Sequence, residues 1–293
     1  MKKKVLLYIV LTAFLFATME VALKIAGSEM DSFQLTFLRF MIGGVFLIPF
    51  ALKENRRSKV RLEYKDFVWV LLLGILCIPL SMLFFQLGIM KSNASTAAVL
   101  MSVSPFFTTI FAYFILKEKL SKTKAIGLLI GLAGIVFMIR PWDMQSGNTV
   151  AGAGFMILAT AFFGLYSVAG KLRIEKIGII TQTCLSFIAG SLVLLVLMIF
   201  MGRPILTGIL DHLIMVLYIS VFVTGFGYYF YFMAIKNSDA STASMAFFIK
   251  PAIAPIFAVV ILKDLLLWNT YLGIVLILVA SLISLMSGKL KKA

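Results

Sequence analysis

Four ionisable side chains stand inside long apolar stretches of the sequence: Glu20, Lys24, Arg39 and Lys250. An ionised group near the centre of a bilayer costs about 2.5 to 3.5 kcal/mol on insertion scales, so such groups face protein or water instead of lipid. Lys250 follows about ten residues of predicted helix, which places it about 15 Å deep, near the midplane and directly before Pro251. Lys250 is therefore the first candidate for binding an anionic solute.

Glu20 is the one carboxylate inside these stretches. It lies four residues before Lys24, a spacing that suits an ion pair on one helix face, and its predicted depth is close to that of Arg39. Two interpretations stay open for these residues. Either Glu20 pairs with Lys24 or Arg39 as a gate or a structural contact, or it takes up and releases protons that are coupled to transport.

Four polar residues in the same stretches are candidates for the wall of a binding site: Tyr228, Tyr231, Gln86 and Ser104. Tyr228 and Tyr231 are three positions apart and share a helix face, whereas Tyr229 faces elsewhere. Tyrosine hydroxyls in an apolar setting need hydrogen-bond partners. Packing between helices is the alternative interpretation, and the sequence does not decide between the two.

The composition defines the class of protein. Of 293 residues, 62% are hydrophobic and 13% charged, and the mean hydropathy is +1.07, which excludes a water-soluble globule. We predict an all-α integral membrane protein, since a spanning helix needs about 20 apolar residues. Ten such runs are present, near residues 5–26, 32–52, 67–89, 94–116, 123–140, 150–170, 179–200, 212–235, 240–262 and 269–288.

Lysine and arginine collect on one side of the predicted bundle. If the N-terminus lies inside, alternate loops hold 20 of the 27 Lys and Arg residues and the opposite loops hold 4. The positive-inside rule then predicts a multi-pass protein of the cytoplasmic (inner) membrane with both termini in the cytoplasm. This distribution accounts for the net charge of +15 without a nucleic-acid partner.

Several chemistries lack the residues they need. Two Cys and one His cannot build a Cys/His zinc site or a disulfide framework. The sequence has no HExxH, Walker, dinucleotide-binding or GxSxG motif. We expect no metal, no cofactor and no enzymatic activity.

The sequence also contains an internal repeat. Asn-Ala-Ser-Thr-Ala at 93–97 returns as Asp-Ala-Ser-Thr-Ala at 239–243, an offset of 146. The residues that follow correspond as well: Pro105, Lys117, Glu118 and Gly127 in the first copy, and Pro251, Lys263, Asp264 and Gly273 in the second. Because each copy has five spans, the second enters the membrane upside down. Residues 1–146 and 147–293 are predicted to be two inverted five-helix repeats around a central cavity.

The five-plus-five spans, the two Ala-Ser-Thr-Ala segments and the endings with Pro and then Lys-Glu or Lys-Asp resemble a tandem EamA-type protein of the drug/metabolite transporter superfamily. The resemblance covers essentially the whole chain. It implies transport of a small-molecule substrate by a helical bundle with a central cavity. It does not identify the solute, because that superfamily includes exporters of amino acids, exporters of drugs and exchangers of phosphate esters.

The charge balance narrows the expected solute. The spans hold three cations and one carboxylate, which favours a small carboxylate-bearing metabolite such as an amino acid, exported by secondary-active or facilitative alternating access with Lys250 pairing its anionic group. One alternative is a proton-coupled exporter of drugs or organic cations that uses Glu20. A second is a membrane ligand sensor or scaffold that moves nothing. The GxxxG pattern at Gly127 and Gly131 fits internal packing or a dimer, so monomer and homodimer both stay open.

Overall fold

The computed structural model describes residues 3–58, 62–117, 122–139, 148–237, 245–263 and 268–289. Within these ranges every regular element is helical, which confirms the predicted all-α class. Seven helices are long and apolar enough to cross a membrane: Lys4–Glu29, Ser32–Arg56, Tyr64–Met90, Thr96–Ile115, Val150–Lys171, Ile179–Phe200 and Leu213–Ala234. Shorter apolar helices cover Ala125–Gly134, Ile253–Leu262 and Tyr271–Ala280. The total of ten spans stays a prediction.

A helix satisfies its own backbone hydrogen bonds, which lipid cannot do, so these apolar runs fold as helices. In chain order they are α1 (Lys3–Ala17), α2 (Met19–Glu29), α3 (Ser32–Ser58), α4 (Tyr64–Ile75), α5 (Leu83–Met90), α6 (Ala94–Met101), α7 (Ser104–Ile115), α8 (Lys122–Ile139), α9 (Val150–Lys171), α10 (Ile174–Ile177), α11 (Ile179–Phe200), α12 (Leu213–Leu217), α13 (Gly227–Asn237), α14 (Met245–Leu262) and α15 (Trp268–Lys289). A π-helical segment, Leu76–Met82, joins α4 to α5, and a second, Tyr218–Phe226, joins α12 to α13.

Two spans are interrupted inside the bundle. α1 and α2 meet at Thr18, whose side-chain oxygen lies 2.7 Å from the hydroxyl of Tyr218 in the second π-helical segment. α6 and α7 are separated by a turn at 102–103, and Pro105, which has no amide hydrogen, stands in the first turn of α7. Each interruption falls within one continuous apolar run, the first and the fourth of those described.

The helices pack mainly across the two halves of the chain. α3 lies along α11, α8 lies along α15, α9 contacts α5 and α7, and α1 contacts α13 and α14. A close backbone approach joins α4 to α11 at Gly74 and Gly190: a Cβ atom added to Gly74 would lie 2.7 Å from the Gly190 nitrogen and 2.5 Å from the Ser186 oxygen. Glycine is therefore required at this crossing.

Ion pairs join the two halves at the end of the bundle that contains Asp66, which we call the Asp66 end. Asp66 Oδ1 accepts from Arg173 Nη1 at 2.8 Å, and Asp66 Oδ2 pairs with Lys176 Nζ at 2.8 Å. The hydrogen bond to Asp66 raises the pKa of the Lys176 ammonium, so the bridge persists through neutral and moderately alkaline pH. A residue of the predicted first repeat is thus tied to the connection between α9 and α11.

Glu54 makes a second connection at the Asp66 end. Its Oε2 accepts from the backbone nitrogens of Ile180 at 2.8 Å and Thr181 at 2.9 Å, at the start of α11. Its Oε1 accepts from Lys236 Nζ at 3.0 Å. A carboxylate at a helix N-terminus is favoured by the free backbone N–H groups and the helix dipole.

The opposite end of the bundle contains Asp31 and is called the Asp31 end. Arg203 Nη1 lies 3.2 Å from Asp31 Oδ2, and Gln34 Nε2 donates to the Thr207 carbonyl at 2.8 Å. Asp31 Oδ1 also accepts from the backbone nitrogen of Phe33 at 2.9 Å, which caps α3. Both ends of the bundle are therefore held by contacts between the halves.

Part of the predicted repeat falls outside the described residues: the second motif copy at 239–243, and the acidic residues Glu118 and Asp264. The lysines before these acids are described. Lys117 and Lys263 follow α7 and α14 with φ angles of 53° and 56°. This left-handed conformation is uncommon for a residue with a side chain and is frequent just after a helix, so the two helices end in the same way.

Candidate functional site

Glu20 and Lys250 form an ion pair inside the bundle. Glu20 lies on α2, two residues after the interruption at Thr18, and Lys250 lies on α14. Lys250 Nζ donates to Glu20 Oε1, and the two residues are 0% and 1% exposed, respectively. This pair was not predicted from the sequence, because counting residues along straight helices places the two side chains at different depths.

This pairing offsets part of the cost of burying two charges. Deleting one partner of such a pair typically costs about 3 to 5 kcal/mol, since the other charge is left buried and unpaired. Among the described residues, Glu20 Oε2 has no hydrogen-bond partner. The carboxylate therefore neutralises Lys250 and keeps one oxygen available as an acceptor.

Lys24 is directed to the end of another helix. Its Nζ donates to the carbonyl oxygens of Ile89 at 2.9 Å and Ser92 at 2.8 Å, beside the last turn of α5. The alternative in which Glu20 pairs with Lys24 is not the one found, because Glu20 binds Lys250. The carbonyls at a helix C-terminus lack partners within the helix and attract a cation, which explains the position of Lys24.

Arg39 is the second buried cation of the site and is 1% exposed. Its Nη2 donates to Met82 Sδ at 3.4 Å, and its guanidinium carbon lies 4.5 Å from the centroid of the Phe40 ring. In the part of the chain that the structure describes, Nε and Nη1 of Arg39 have no hydrogen-bond partner. The predicted bridge from Arg39 to Glu20 is also wrong, since no ion pair joins these two described residues.

The ring of Phe85 is close to both cations. Lys250 Nζ lies 5.9 Å and the Arg39 guanidinium carbon 6.0 Å from its centroid, distances at which the face of an aromatic ring attracts a positive charge. We call Glu20, Arg39 and Lys250 the charge cluster. It contains two cations and one carboxylate, so it carries one more positive charge than negative.

Tyr228 and Tyr231 lie in an aromatic group beside the charge cluster. Tyr228 is 3% and Tyr231 6% exposed, and their ring centroids lie 5.3 and 6.4 Å from that of Phe16. The Tyr228 hydroxyl donates to Met82 Sδ at 3.7 Å, the atom that Arg39 also contacts. Tyr229 packs against Phe50 instead, with centroids 4.8 Å apart.

Gln86 and Ser104 occupy different places. Gln86 Nε2 donates to the Leu23 carbonyl at 3.4 Å, a contact between α5 and α2, and its Oε1 has no partner among the described residues. Ser104 is buried at the first position of α7 and its carbonyl accepts from Thr108 Oγ1 at 2.9 Å. Of these four predicted wall residues, Tyr228 is the one that contacts the same atom as a residue of the charge cluster: its hydroxyl and the Arg39 guanidinium both contact Met82 Sδ.

Three residues around the cluster were not predicted from the sequence: Met82, Phe85 and Phe40. Met82 is the last residue of the first π-helical segment, which contains Pro79. A proline within an apolar run is a sequence signal for such an irregularity, and π-helical turns frequently lie at functional sites. Phe85 and Phe40 are ordinary apolar residues of a span, and the sequence gives no sign that their rings face cations.

The fold and the site thus define a helical integral membrane protein with buried charges between its halves. The model of the EamA-like transporter family matches the chain twice, over residues 3–140 and 150–286, and the chain belongs to that family. This result confirms the resemblance found in the sequence motifs. The match to two successive segments also agrees with the internal repeat.

Similar proteins cover the same length. An uncharacterized transporter of Clostridium kluyveri is 37% identical over 98% of this chain and 94% of its own. The uncharacterized transporter YoaV of Bacillus subtilis is 26% identical over 94% of each chain. A crystal structure that superposes with a TM-score of 0.71 over 100% of both chains is 17% identical, so it supports the fold alone. The relatives are named as transporters and not as enzymes, and the chain is a multi-pass membrane transporter.

Proposed function

We propose that the chain is an alternating-access carrier built from two inverted repeats, residues 1–146 and 147–293, which together supply ten spans. Two similar halves of opposite orientation can exchange an opening at one membrane face for an opening at the other. The total of ten is seven full-length apolar helices plus three shorter ones. In this proposal both termini lie in the cytoplasm and the protein resides in the cell membrane, as the loop charges indicate.

The helix contacts support the inverted repeat, because several of the main contacts have a counterpart. α5 packs on α9 as α13 packs on α1, and α7 packs on α9 as α14 packs on α1. α4 packs on α11 as the second π-helical segment packs on α3. The pairs α3–α11 and α8–α15 each join a helix to its own counterpart. This pattern is expected of a pseudo-two-fold axis between the halves.

The excess positive charge of the charge cluster is the observation that carries the proposed solute. The charge cluster has two cations, and Glu20 neutralises one of them. A carboxylate group on the solute would neutralise the other, so we propose export of a small carboxylate-bearing metabolite such as an amino acid. In the loaded carrier the anionic group pairs with Lys250 in exchange for Glu20. After the exchange the solute carboxylate and Glu20 share the two cations of the charge cluster, Lys250 and Arg39, so neither anion is left without a buried positive charge beside it.

Reconstitution in sealed liposomes tests this function. A mass-resolved panel of amino acids and other carboxylates is offered to the wild type, to Lys250→Met and to Lys263→Met. Lys263 is an exposed lysine at the end of α14 and is the matched control. We expect carboxylate flux in the wild type and the control and its loss in Lys250→Met. Unchanged flux in folded Lys250→Met rejects Lys250 as the anchor, and solute that binds without crossing supports a sensor or scaffold.

A second candidate function rests on the unused Oε2 of Glu20. A carboxylate with a free oxygen can accept a proton or a cationic solute, as a proton-coupled exporter of drugs or organic cations requires. The Glu20→Gln variant separates the two functions. If an imposed pH gradient drives efflux of a lipophilic cation in the wild type and not in Glu20→Gln, the second function replaces the first.

A further inference from the structure

Arg39 and Tyr228 direct their polar groups at one sulfur atom. Nη2 of Arg39 lies 3.4 Å from Met82 Sδ, and the Tyr228 hydroxyl donates to the same Sδ at 3.7 Å. All three side chains are buried. A thioether is only a weak acceptor, whereas guanidinium and phenol are strong donors. Two strong donors therefore share one poor acceptor in the interior of the bundle.

Arg39 has further donors to offer. A guanidinium carries five N–H bonds and stays charged, yet its Nε and Nη1 have no partner among the described residues. A buried donor without an acceptor is costly, and most buried polar groups in folded proteins are satisfied. Such a group inside a transporter indicates a place where a ligand supplies the acceptor.

We propose that Arg39 and Tyr228 form a carboxylate clamp that makes the first contact with the transported solute, before Glu20 releases Lys250. Guanidinium and carboxylate match geometrically through two parallel hydrogen bonds, and the Tyr228 hydroxyl adds a third. The carboxylate takes over the contacts that Met82 now receives. This inference rests on the proposed function and adds two residues to it, because Lys250 alone is already neutralised by Glu20.

The charge count narrows the class of ligand. Glu20 neutralises Lys250 within the charge cluster, so a single carboxylate at Arg39 makes the whole cluster neutral, whereas a dianion leaves a buried negative charge. Aromatic rings border the clamp: Phe187 lies 4.8 Å from Phe40 and 5.0 Å from Tyr228 between ring centroids. The clamp therefore fits a monocarboxylate with an apolar or aromatic skeleton.

The test uses 3-phenylpropionate as the probe and its neutral amide as the comparison compound. Saturable uptake into proteoliposomes gives a KM and a maximal rate for the wild type, Arg39→Lys and Tyr228→Phe. Arg39→Lys keeps the charge and removes the planar donor set, and Tyr228→Phe keeps the ring. Hydrogen bonds to charged groups suggest that Arg39→Lys raises KM about tenfold to a hundredfold and Tyr228→Phe about three- to tenfold. The maximal rates change less than KM.

Two matched variants serve as controls. Tyr229→Phe removes a hydroxyl outside the clamp and is expected to keep the KM of the wild type. Met82→Leu removes the sulfur that the solute is proposed to replace and is expected to lower KM, because the solute no longer competes with that acceptor. For any variant with poor reconstitution, a second measurement compares the thermal unfolding temperature of the purified protein with 3-phenylpropionate and with its amide. The carboxylate is expected to raise this temperature more than the amide does. We expect this difference to disappear in Arg39→Lys.

Each outcome is decisive. If the wild type transports carboxylates while Arg39→Lys and Tyr228→Phe keep both the wild-type KM and the stabilisation by 3-phenylpropionate, the clamp is wrong and the proposed function stands. If the wild type neither binds nor transports any carboxylate in the panel, the proposed function fails and the clamp fails with it. Equal effects of the carboxylate and the amide also overturn the clamp, because an anion site distinguishes the two.

Discussion

The side chains of Glu20 and Lys250, 230 positions apart in the sequence, meet as an ion pair in the interior of the bundle. The pair joins α2 of the first family match to α14 of the second. Its position gives the first of four predictions on stability and access. Each is measured on purified or membrane-embedded protein.

Removing one partner of this pair destabilises the protein more than removing both. We expect Glu20→Met or Lys250→Met to lower the free energy of unfolding by about 3 to 5 kcal/mol, and the double variant to regain most of that loss, because two apolar side chains leave no unpaired charge. Reversible unfolding in detergent micelles measures the difference. Asp31→Asn at the more exposed pair with Arg203 is the control, with an expected loss of at most about 1 kcal/mol. Additive losses in the double variant would contradict the prediction.

The bond between Thr18 and Tyr218 holds the interruption of the first span to the second π-helical segment. Tyr218→Phe removes this bond and keeps the ring, so we expect a loss of about 0.5 to 1.5 kcal/mol. Thr18→Val also removes the hydrogen bond from the Thr18 hydroxyl to the Leu15 carbonyl, so the double variant Thr18→Val with Tyr218→Phe is expected to cost little more than Thr18→Val alone. A double-mutant cycle by thermal unfolding measures the coupling. Zero coupling energy would show that the contact does not contribute.

In the proposed alternating-access cycle, the ion pairs of Asp66 hold the Asp66 end closed. Asp66→Asn weakens the contacts to Arg173 and Lys176, and we expect faster labelling of Cys184, a buried thiol on α11, by a membrane-impermeant maleimide applied from that side. The experiment uses a background in which Cys77 is replaced by alanine.

The control for this experiment loosens the other end of the bundle. Asp31→Asn disturbs the contact to Arg203 at the Asp31 end and is expected to leave Cys184 labelling from the Asp66 side unchanged. Equal acceleration in both variants would mean that the labelling reports general loosening, and that Asp66 does not hold a particular end closed.

The crossing of α4 and α11 tolerates no side chain at Gly74. A Cβ atom there would lie 2.5 Å from the Ser186 carbonyl oxygen, so we expect Gly74→Ala to cost about 1 to 3 kcal/mol of stability. Gly154 on α9 has no atom within 4 Å of its added Cβ, and Gly154→Ala is expected to be neutral or stabilising by about 0.5 to 1 kcal/mol. Thermal unfolding compares the two. A similar cost at both positions would reject close packing as the cause.

The sequence predicts the helices well because their signal is local. An apolar run longer than about 17 residues has few alternatives to a spanning helix, and the repeat is visible from 93–97 and 239–243 alone. The partners of the charges are not local. Lys24 satisfies the i,i+4 rule with Glu20, yet it donates to the carbonyl of Ile89 at a helix end. The packing of α14 beside α2 brings Lys250 to Glu20 instead. Rotation and tilt of helices are set by packing, which the order of residues does not reveal.

The bridges at the Asp66 and Asp31 ends have a consequence for the cell. In the proposed alternating-access cycle, opening one end breaks the contacts of that end alone, whereas opening both ends at once costs the sum of the two. A carrier of this kind would therefore form a continuous water path least often, which would limit the leak of ions and preserve the membrane potential.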